Sequence, residues 1–385
     1  MSKIQYTIDV DTDSSQSNNW LTIAIFFVML LTPPLAQMLG VTSVIRGENR
    51  TLSTLPAVKS LSDLKRLPRQ LDDYVGDRFG LRAQFVHLDS LIKYQLGVST
   101  ANDVVIGKDG WLFYTADDLL GEHTGTDIFT PAELEAWVRV MEADRDWLAQ
   151  RGIAFYILIA PDKTTIYPEM LPDYPRGKVT RIDQLAARLQ RSSLDFIDPR
   201  QELFRAKAAG KMVYFAGDSH WLEPGAFVAY RMLMEHIRKR FPTIVPLNWD
   251  DYTISYGAPA ASDLAYNLTL DGNLHYTVER MTPIWRLHIT APQRTTYRSG
   301  WPWWVDENQN DLNDRPRLLV FGDSFTDYVL GPHMLYETFH NPVYTHHNGG
   351  NFDWRLVDEI KPDIVLVEFA ERYLHFVPQM PPGSG

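Results

Sequence analysis

The chain has 385 residues, of which 45% are hydrophobic and 22% are charged, and this composition predicts a globular protein of one large domain or two ordinary ones. Its formal net charge of −11 disfavours a nucleic-acid partner, because binding to phosphates needs a basic patch and none stands out. The absence of cysteine excludes disulfides, thiolate zinc sites and a cysteine nucleophile. Aromatic residues form 12% of the chain, which suits either stacking on sugar rings or ordinary core packing.

The character of the sequence changes abruptly near residue 20. Residues 1–19 are polar and predict a disordered tail. Residues 20–44 are rich in Leu, Ile, Phe, Val and Met, carry no charge, and are long enough to cross a bilayer. We therefore predict a transmembrane anchor, in which Pro33-Pro34 would kink or shorten the helix. A cleaved signal peptide and a buried core helix are the alternatives.

Basic residues flank this segment unevenly. Lys3 is the one basic side chain before it, whereas Arg46, Arg50 and Lys59 follow it closely. By the positive-inside rule, this distribution would leave the large domain in the cytoplasm. Long domains can override that rule, so the charges alone do not decide the orientation.

The next residues, 45–100, contain scattered proline and charge, and we predict a stalk followed by an amphipathic packing helix over residues 74–97. The main domain is predicted over residues 101–385. It opens with Val104–Tyr114, where a Lys-Asp-Gly turn between two apolar runs predicts a hairpin.

Helical and strand patterns then alternate along the domain. A capping box of Thr130 and Glu133, with Pro131 at the first helical position, predicts the start of one helix. Apolar runs and amphipathic stretches predict strands at 153–160, 194–197, 318–321, 343–345 and 364–369, and helices at 131–150, 181–191 and 224–241. This alternation is typical of an α/β fold with a mostly parallel sheet flanked by helices.

Residues 242–316 break the alternation. This stretch mixes polar residues with five tryptophans, and we interpret it as an aromatic-rich insertion beside the sheet: Trp249, Trp285, Trp301, Trp303 and Trp304.

Ser324 is the candidate nucleophile. It follows the apolar run Arg317–Phe321 and Gly322, which permits a tight turn, and a helix can start at Phe325. A serine on such a strand–turn–helix corner is exposed at the carboxyl edge of the sheet, where backbone N–H groups can face a developing oxyanion. The alternative for Ser324 is a helix N-cap.

A serine hydroxyl needs a base, and His220 is the candidate. Asp218 precedes it by two positions, so on an extended stretch both side chains would point the same way. The carboxylate could then orient the imidazole and stabilise the imidazolium. A turn with a surface histidine is the alternative interpretation of this pair.

Other polar residues follow the predicted strands. His346 and His347 are adjacent in sequence, but no spacing typical of a zinc site accompanies them, so we expect no metal and no cofactor. Arg372 and Tyr373 follow the last strand, at the edge where ligands bind in such sheets. They are candidates for binding substrate or an oxyanion, and a structural salt bridge is the alternative.

Four motifs in this order resemble the AlgJ/AlgX-type polysaccharide O-acetyltransferases, which are SGNH-hydrolase-like proteins associated with alginate and related exopolysaccharides. The motifs are Gly107–Tyr114, Asp218–Trp221, Gly322–Phe325 and Glu371–Leu374, and the resemblance runs from about residue 45 to residue 377. It implies an SGNH-like fold, an acyl-serine intermediate, and Ser324, His220 and Asp218 as the catalytic triad.

The resemblance also implies where such a protein works. It implies a single-pass anchor in the inner membrane, a catalytic domain in the periplasm, a polysaccharide acceptor, and a membrane-bound O-acyltransferase partner that supplies acetyl groups. Two other functions stay open: a carbohydrate acetyl esterase with the same triad, and a non-catalytic glycan-binding or scaffold subunit of a secretion complex. The polymer itself is not indicated.

Overall fold

The computed structural model describes residues 19–39, 51–116, 118–258, 262–284, 293–295, 305–347 and 353–380. Residues 1–18 of the predicted tail lie outside this part of the chain, as do four of the five tryptophans of the predicted insertion, namely Trp285, Trp301, Trp303 and Trp304. The chain divides into two compact units, residues 1–92 and residues 93–385.

The described residues include eleven α-helices and eleven strands. The helices are α1 Asn19–Met38, α2 Leu61–Arg78, α3 Arg82–Gln95, α4 Leu119–Thr124, α5 Pro131–Ala149, α6 Lys163–Ile166, α7 Arg181–Leu189, α8 Arg200–Ala208, α9 Glu223–Ile237, α10 Asp263–Asn267 and α11 Trp354–Ile360. The strands are β1 Val104–Ile106, β2 Leu112–Tyr114, β3 Ala154–Ala160, β4 Asp195–Ile197, β5 Tyr252–Gly257, β6 Val278–Pro283, β7 Gln293–Thr295, β8 Val305–Glu307, β9 Arg317–Gly322, β10 His340–His346 and β11 Ile364–Ala370. A π-helix spans Thr326–Leu335.

In the first unit, α1 contains a stretch, Trp20–Met38, that is long and apolar enough to cross a membrane, and nearly all of its side chains are exposed. This helix fits a transmembrane anchor, and Pro33 and Pro34 lie inside it without ending it. The packing helix predicted over residues 74–97 is wrong as a single element. The chain breaks between α2 and α3 because Leu81 has a φ of 65°, which a right-handed helix does not allow.

A seven-stranded sheet organises the second unit, in the order β4-β3-β11-β9-β10-β8-β7. The five strands from β4 to β10 are parallel, as the alternation of helices and strands predicts, whereas β8 and β7 continue the sheet in antiparallel pairing. Two further antiparallel pairs, β1–β2 and β5–β6, lie outside this sheet. The result is an α/β fold with a mixed, mostly parallel sheet and helices on both faces.

Each face of the sheet has its own apolar core. Successive residues of β3 alternate between them: Tyr156 and Leu158 join one core with α8, α9 and the π-helix, and Ile157 and Ile159 join the other with α5, α7 and α11. Both sets are buried because helices cover both faces of the parallel strands, which explains why these strands are continuous apolar runs.

The predicted insertion does not lie wholly beside the sheet. β7 and β8 fall in residues 242–316 and extend the sheet at its edge, whereas β5 and β6 form the separate hairpin. The short polar strand β8 was missed in the sequence because it lacks an apolar run, and it pairs with β10 along Val343–Thr345. α8 and α11 were also not predicted.

The parallel register brings several strand ends to one edge of the sheet. Ala370 of β11 is level with Ala160 of β3, and His346 of β10 is level with Gly322 of β9. Ligands bind at this carboxyl edge in open α/β sheets.

Gly322 was expected to allow a tight turn, but its φ is not positive. A glycine is needed here because neighbouring atoms leave no room for a side chain. A Cβ at Gly322 would lie 2.9 Å from Thr326 Oγ1.

We predict that Gly322→Ala destabilises the folded chain by about 1–3 kcal/mol, because the added methyl group overpacks a buried turn. Gly257 is the matched control, since nothing lies within 4 Å of a Cβ built there. Gly257→Ala should be neutral or slightly stabilising, because alanine lowers the entropy of the unfolded chain. Urea denaturation of the two variants measures the difference, and equal midpoints would contradict the packing argument.

Candidate active site

Ser324 lies at the first turn of helix after β9, and Asp323 fixes that turn. The carboxylate of Asp323 accepts hydrogen bonds from the backbone N–H of Phe325 at 2.8 Å and of Ala370 at 2.7 Å. The carbonyl of Asp323 also accepts from the N–H of Thr326 at 3.1 Å. Asp323 therefore caps the turn and ties it to β11, and the hydroxyl of Ser324 is not needed as the cap.

Ser324, His220 and Asp218 form one hydrogen-bonded chain. Ser324 Oγ lies 2.7 Å from His220 Nε2, and His220 Nδ1 lies 2.6 Å from Asp218 Oδ1. Because a carboxylate only accepts, Nδ1 carries the proton and Nε2 is left to accept from the hydroxyl. The sequence-predicted nucleophile, base and carboxylate are thus brought together across 104 residues of chain.

The Asp-x-His geometry differs from the expected extended stretch. Residues 217–220 form a bend between Tyr214 and Trp221, which make an antiparallel bridge. Asp218 Oδ1 accepts from both the ring and the backbone N–H of His220, the latter at 2.9 Å. A hydrogen bond from an aspartate side chain to the backbone N–H two residues later is typical of turns. It orients the imidazole of His220 although this segment is not a strand.

The electrostatics of the pair favour an ionised carboxylate. Burial disfavours the charge on Asp218, but the hydrogen bonds and positive charge of His220 outweigh it and lower the pKa of Asp218 to about 2. A carboxylate that stays charged can stabilise the imidazolium that forms when His220 takes a proton.

Asp263, at the start of α10, is a residue of this site that the sequence analysis missed. Its backbone N–H donates to Asp218 Oδ2 at 2.9 Å, and its Oδ1 accepts from the N–H of Ser219 at 2.8 Å. The hydroxyl of Ser219 also donates to Asp263 Oδ2, which lies 3.6 Å from His220 Nδ1. Burial and the neighbouring Asp218 raise the pKa of Asp263. Nothing in the sequence near Asp263 indicates this contact, because only the fold brings α10 to the bend.

Lys163, just after β3, supports the same bend from inside. Its Nζ donates to the carbonyl oxygens of Phe215 at 3.0 Å, Ala216 at 3.1 Å and Asp218 at 2.5 Å. Burial lowers the pKa of Lys163 to about 7, while Asp263 and Asp218 act in the opposite direction. The Nζ of Lys163 thereby binds three carbonyls of one short segment, in addition to the bond that the carbonyl of Ala216 accepts from the N–H of Leu112 at 2.9 Å.

Aromatic side chains enclose the imidazole. The ring of Phe325 lies 5.0 Å from that of His220, and the ring of Tyr328 lies 4.8 Å away in an edge-on arrangement. Trp221 Nε1 donates to the carbonyl of Phe325 at 3.0 Å, which joins the two loops that carry His220 and Ser324. These contacts limit the rotation of the imidazole and keep it over the hydroxyl.

Arg372 and Tyr373 lie where the sequence predicted, after β11, but their contacts are within the protein. Arg372 is buried, its Nε lies 3.1 Å from Asp162 Oδ1, and its guanidinium lies 5.4 Å from the centre of the Phe325 ring. Tyr373 stacks on Phe376 with ring centres 6.3 Å apart. The guanidinium is therefore held beside the residue that follows Ser324.

A group of buried acids surrounds Asp162. Glu371 Oε2 accepts from the backbone N–H of Asp162 at 2.9 Å, and Glu122 lies buried close by. Neither carboxyl oxygen of Glu122 has a hydrogen-bond partner, and its nearest cation is Arg181 at 4.0 Å. Burial, with repulsion from Glu371 and Asp162, raises the pKa of Glu122 to about 9. Glu122 is therefore protonated at neutral pH in the folded protein.

A cavity of about 540 Å³ opens beside the imidazole. Asp218, His220 and Asp263 form one part of its wall, and Tyr266 and Tyr328 form another. Because His220 lies in this wall, a molecule in the cavity reaches the base directly. The cavity is large enough for a sugar unit with part of its neighbour.

Among the residues that the structure describes, Asp218, His220 and Asp263 also form a group of possible metal ligands within 4.8 Å of one another. A metal ion such as zinc would lie about 2.0–2.2 Å from each ligand atom. An ion shared by His220 Nδ1 and Asp218 would therefore replace the 2.6 Å hydrogen bond between them. His346 and His347 lie at the end of β10, where the N–H of His347 donates to the carbonyl of Gly322 at 2.7 Å.

We predict that Asp263→Asn slows acylation of Ser324 by roughly 10- to 100-fold, the effect of losing a hydrogen bond to a charged group. The amide cannot accept from both donors of Ser219, so the bend that carries His220 loosens. Asp173→Asn, at an exposed aspartate away from the site, should leave the rate unchanged. The initial burst of leaving group released from an activated acetyl ester measures the acylation rate of both variants. An unchanged burst rate in Asp263→Asn would refute a role of Asp263 in positioning His220.

We also predict that Glu122→Gln flattens the dependence of stability on pH. The folded pKa of about 9 exceeds the ordinary value of 4.5, so the contribution of Glu122 is complete below pH 4.5 and is lost as the pH rises towards 9. This group alone can lower the free energy of unfolding by up to about 1.4 kcal/mol per pH unit in that window. Melting temperatures at about pH 6 and pH 8 test it.

In that comparison, wild type should lose more stability than Glu122→Gln at the higher pH. The control is Glu235→Gln, since Glu235 is exposed on α9 and should not alter the slope. Equal slopes in wild type and Glu122→Gln would show that Glu122 is ionised in the folded protein.

Comparison with known proteins places this site in a family. Residues 104–358 match the family described as SGNH hydrolase-like domain, acetyltransferase AlgX. A probable alginate O-acetylase AlgJ of Pseudomonas syringae pv. tomato is 24% identical over 375 residues, covering 92% of this chain and 88% of the relative. Its namesake in Pseudomonas fluorescens is 25% identical over 179 residues, covering 46% of this chain and 44% of the relative, so less than half of that protein is matched.

A solved structure also has this fold. Bacillus cereus PatB1, in a structure with a sulfonyl adduct, superposes with a TM-score of 0.51 and 18% identity, covering 72% of this chain and 97% of PatB1. That likeness concerns the fold alone. The family match covers more than half of the chain and includes Ser324, His220 and Asp218. The chain therefore belongs to the AlgX-type SGNH hydrolase-like acetyltransferase family.

Proposed function

We propose that this protein is a membrane-anchored O-acetyltransferase that carries an acetyl group on Ser324 and transfers it to hydroxyls of an exopolysaccharide. The observation that carries the proposal is the unbroken contact chain from Ser324 Oγ through His220 to Asp218, at 2.7 and 2.6 Å. Membership in a family described by its acetyltransferase domain supports acetyl transfer over other acyl chemistry. The names of the relatives support a polysaccharide acceptor.

The first half of the reaction acetylates Ser324. His220 Nε2 takes the hydroxyl proton while Ser324 Oγ attacks the carbonyl carbon of the acetyl donor, and the carbonyl electron pair moves to oxygen. Collapse of the tetrahedral intermediate expels the leaving group of the donor, which takes the proton from Nε2. Asp218 holds the ring in place and stabilises the imidazolium between these two steps.

The second half releases the acetyl group. An acceptor hydroxyl gives its proton to His220 Nε2 and attacks the acetyl carbonyl, and Ser324 Oγ leaves and recovers that proton. In both halves the oxyanion faces the backbone N–H of Ser324, which lies at the start of a helical turn where N–H groups have no intrahelical acceptor. We assign Arg372 a supporting electrostatic role there, with Tyr373 at the same edge of the sheet.

Transfer instead of hydrolysis requires that the sugar hydroxyl be better placed than water. Good positioning of a reactant is worth several kcal/mol, about 7–11 kcal/mol in favourable intramolecular cases. The cavity beside His220 supplies walls for such positioning, and residues of the aromatic-rich stretch 242–316, such as Tyr266, contribute to it.

The proposal includes a location and a partner. We propose that α1 anchors the protein in the inner membrane and that the domain works in the periplasm, where it meets the polymer. A membrane-bound O-acyltransferase would supply the acetyl groups across the membrane. The apolar length of Trp20–Met38 supports the anchor, although the basic residues Arg46, Arg50 and Lys59 oppose this orientation by the positive-inside rule.

We expect Ser324→Ala to abolish the acetyl-enzyme while leaving the fold intact, because the variant keeps the turn that Asp323 caps. Incubation of the full chain with 4-nitrophenyl acetate, followed by peptide mass spectrometry, should map one acetyl group to Ser324 in wild type and none in the variant. Ser255→Ala, at an exposed serine of β5, is the matched control and should acetylate normally. Full turnover by Ser324→Ala would contradict the mechanism.

The same preparation separates the transferase from its rivals. Acetylated oligosaccharide that appears only when acetyl-Ser324 can form supports transfer. Release of acetate at a rate that oligosaccharides do not change indicates an esterase. No acetyl-serine at all, with glycan binding equal in wild type and Ser324→Ala, indicates a non-catalytic subunit.

A further inference from the structure

The first helix after the membrane anchor carries apolar side chains that the protein does not bury. α2 contains no buried residue. Its apolar side chains recur every three or four residues and therefore share one side of the helix, namely Leu61, Leu64, Leu67, Leu71, Tyr74 and Val75. Most of this side is exposed, up to 84% for Leu61. A continuous exposed apolar surface of this kind marks a site of contact with another protein or with a membrane.

The rest of α2 is strongly polar and balanced in charge. Each base along the helix is matched by an acid; the bases are Lys65, Arg66, Arg69 and Arg78, and the acids are Asp63, Asp72, Asp73 and Asp77. Low overall hydrophobicity, with one apolar side and one charged side, is typical of helices that lie in the plane of a membrane surface. Because the charges of α2 cancel, its apolar side has to supply the binding free energy.

α3 repeats this pattern over a shorter stretch. Phe85, Leu88 and Ile92 follow one another at helical spacing and are 46%, 52% and 53% exposed. Ser90 lies on another side of the same helix and is buried. The ring of Phe85 stacks on that of Phe79, with ring centres 6.2 Å apart, beside the corner that joins the two helices. Both helices therefore leave an apolar stripe outside the protein.

The corner between α2 and α3 packs directly on the membrane helix α1. Gly80 lies in this corner, and a Cβ built there would overlap the carbonyl oxygen of Pro33 and lie 2.7 Å from the backbone nitrogen of Gln37. Ala36, in the same turn of α1, is buried. The absence of a side chain at Gly80 thus allows the two backbones to touch, and it fixes the corner against one turn of α1.

The position of this contact along α1 matches the boundary of a bilayer. The span Trp20–Met38 has 19 residues. At a rise of 1.5 Å per residue this is about 28 Å, close to the hydrocarbon thickness of about 30 Å. Pro33 and Gln37 lie near the end of the span, so the contact is about 2–8 Å inside it at the same rise. Helices that lie in a membrane surface bury their apolar side about 5–10 Å into this boundary.

We propose that α2 and α3 lie on the membrane surface, with their exposed apolar sides in the boundary between the headgroups and the acyl chains of the bilayer that α1 crosses. The proposal goes beyond acetyl transfer and rests on the proposed anchor. The contact with α1 favours lipid over a second copy of the chain or another protein, because it holds both apolar stripes at a depth where lipid already surrounds α1. One helix across the bilayer and two helices on it then attach the first unit.

Fluorescence quenching in liposomes tests this arrangement. The chain has no cysteine, so a single introduced cysteine can be labelled with nitrobenzoxadiazole without background. Leu71→Cys and Asp73→Cys are a matched pair, because two residues of a helix that are two positions apart point about 200° away from each other. The full chain is reconstituted in phosphatidylcholine. A lipid with a nitroxide near the headgroup end of its acyl chain reports contact with the boundary, and iodide reports contact with water.

We expect the nitroxide lipid to quench the label at Leu71→Cys at least about three-fold more than the label at Asp73→Cys, and iodide to give the reverse order. Leu88→Cys on α3 should behave like Leu71→Cys. Two results would overturn the proposal. A label at Leu71→Cys that is open to iodide would mean that the surface awaits a protein partner. A label that neither quencher reaches would mean that a second copy of the chain covers it.

A second pair of variants tests whether the apolar side itself binds lipid. In the Leu71→Cys background, Leu64→Glu places a carboxylate on the apolar side of α2, whereas Gln70→Glu places one on the polar side. Because a charge is costly in the bilayer, Leu64→Glu should lower quenching by the nitroxide lipid by about half or more, and Gln70→Glu should leave it unchanged. Unchanged circular dichroism confirms that both variants fold. Equal quenching in the two would show that α1 alone brings the label to the lipid, which contradicts the proposal.

A label in α1 separates this proposal from the anchor on which it rests. Val28 lies near the middle of the span, so a nitroxide near the end of the acyl chain should quench Val28→Cys more than one near the headgroup. If neither nitroxide lipid reaches Val28→Cys, the proposed anchor fails, and the inference fails with it. If they reach Val28→Cys but not Leu71→Cys, the anchor stands and the inference on α2 and α3 fails. Neither result depends on whether Ser324 is acetylated.

Discussion

The hydrogen bond between His220 and Ser324 depends on two loops that have no sheet partner of their own at the site. One loop is the turn after β9, where Asp323 bonds to Phe325 and across to Ala370 of β11. The other is the bend that carries Asp218, which Lys163 holds through three carbonyl groups. Each loop is fixed by a buried polar side chain whose hydrogen bonds go to backbone groups, so neither Ser324 nor His220 has to hold its own loop in place.

This arrangement requires a group of buried charges under the carboxyl edge of the sheet. Asp162 pairs with Arg372, Glu371 accepts from the backbone N–H of Asp162, and Glu122 adds an acid that burial keeps protonated. Removing one partner from such a group costs more than the group itself contributes, because it leaves an uncompensated charge. The ion pair of Arg372 with Asp162 therefore supports the carboxyl edge of the sheet, and Arg372 is in addition the candidate for contact with the oxyanion.

The site combines a nucleophilic corner that fits its family with a cavity beside the imidazole of His220. These two features come from different parts of the chain. The Ser324–His220–Asp218 chain uses the turn after β9 and the bend that carries Asp218, whereas the rest of the cavity wall draws on α9, α10, β6 and the π-helix. Because Asp263 of α10 also bonds to the bend that carries Asp218, part of this wall is tied to the hydrogen-bonded chain.

The sequence by itself determined the buried parallel strands and indicated Ser324, His220 and Asp218 as one group. Buried parallel strands are continuous apolar runs, so β3, β9 and β11 were predicted within a residue or two, and Ser324 was placed by the strand that precedes it. Asp218 bonds locally to His220, so the pair was visible as an Asp-x-His motif, although the extended backbone expected for it was a bend.

Only the tertiary structure brought in Asp263 and Lys163, because their contacts to the bend span 44 to 55 residues and neither residue has a local pattern that indicates them. The polar strand β8 and the ion pair between Arg280 and Glu223 were likewise fixed by packing. A local sequence pattern indicates whether a segment is a helix or a strand and which nearby residues it contacts. Contacts between segments that are distant in sequence are set by how the elements pack.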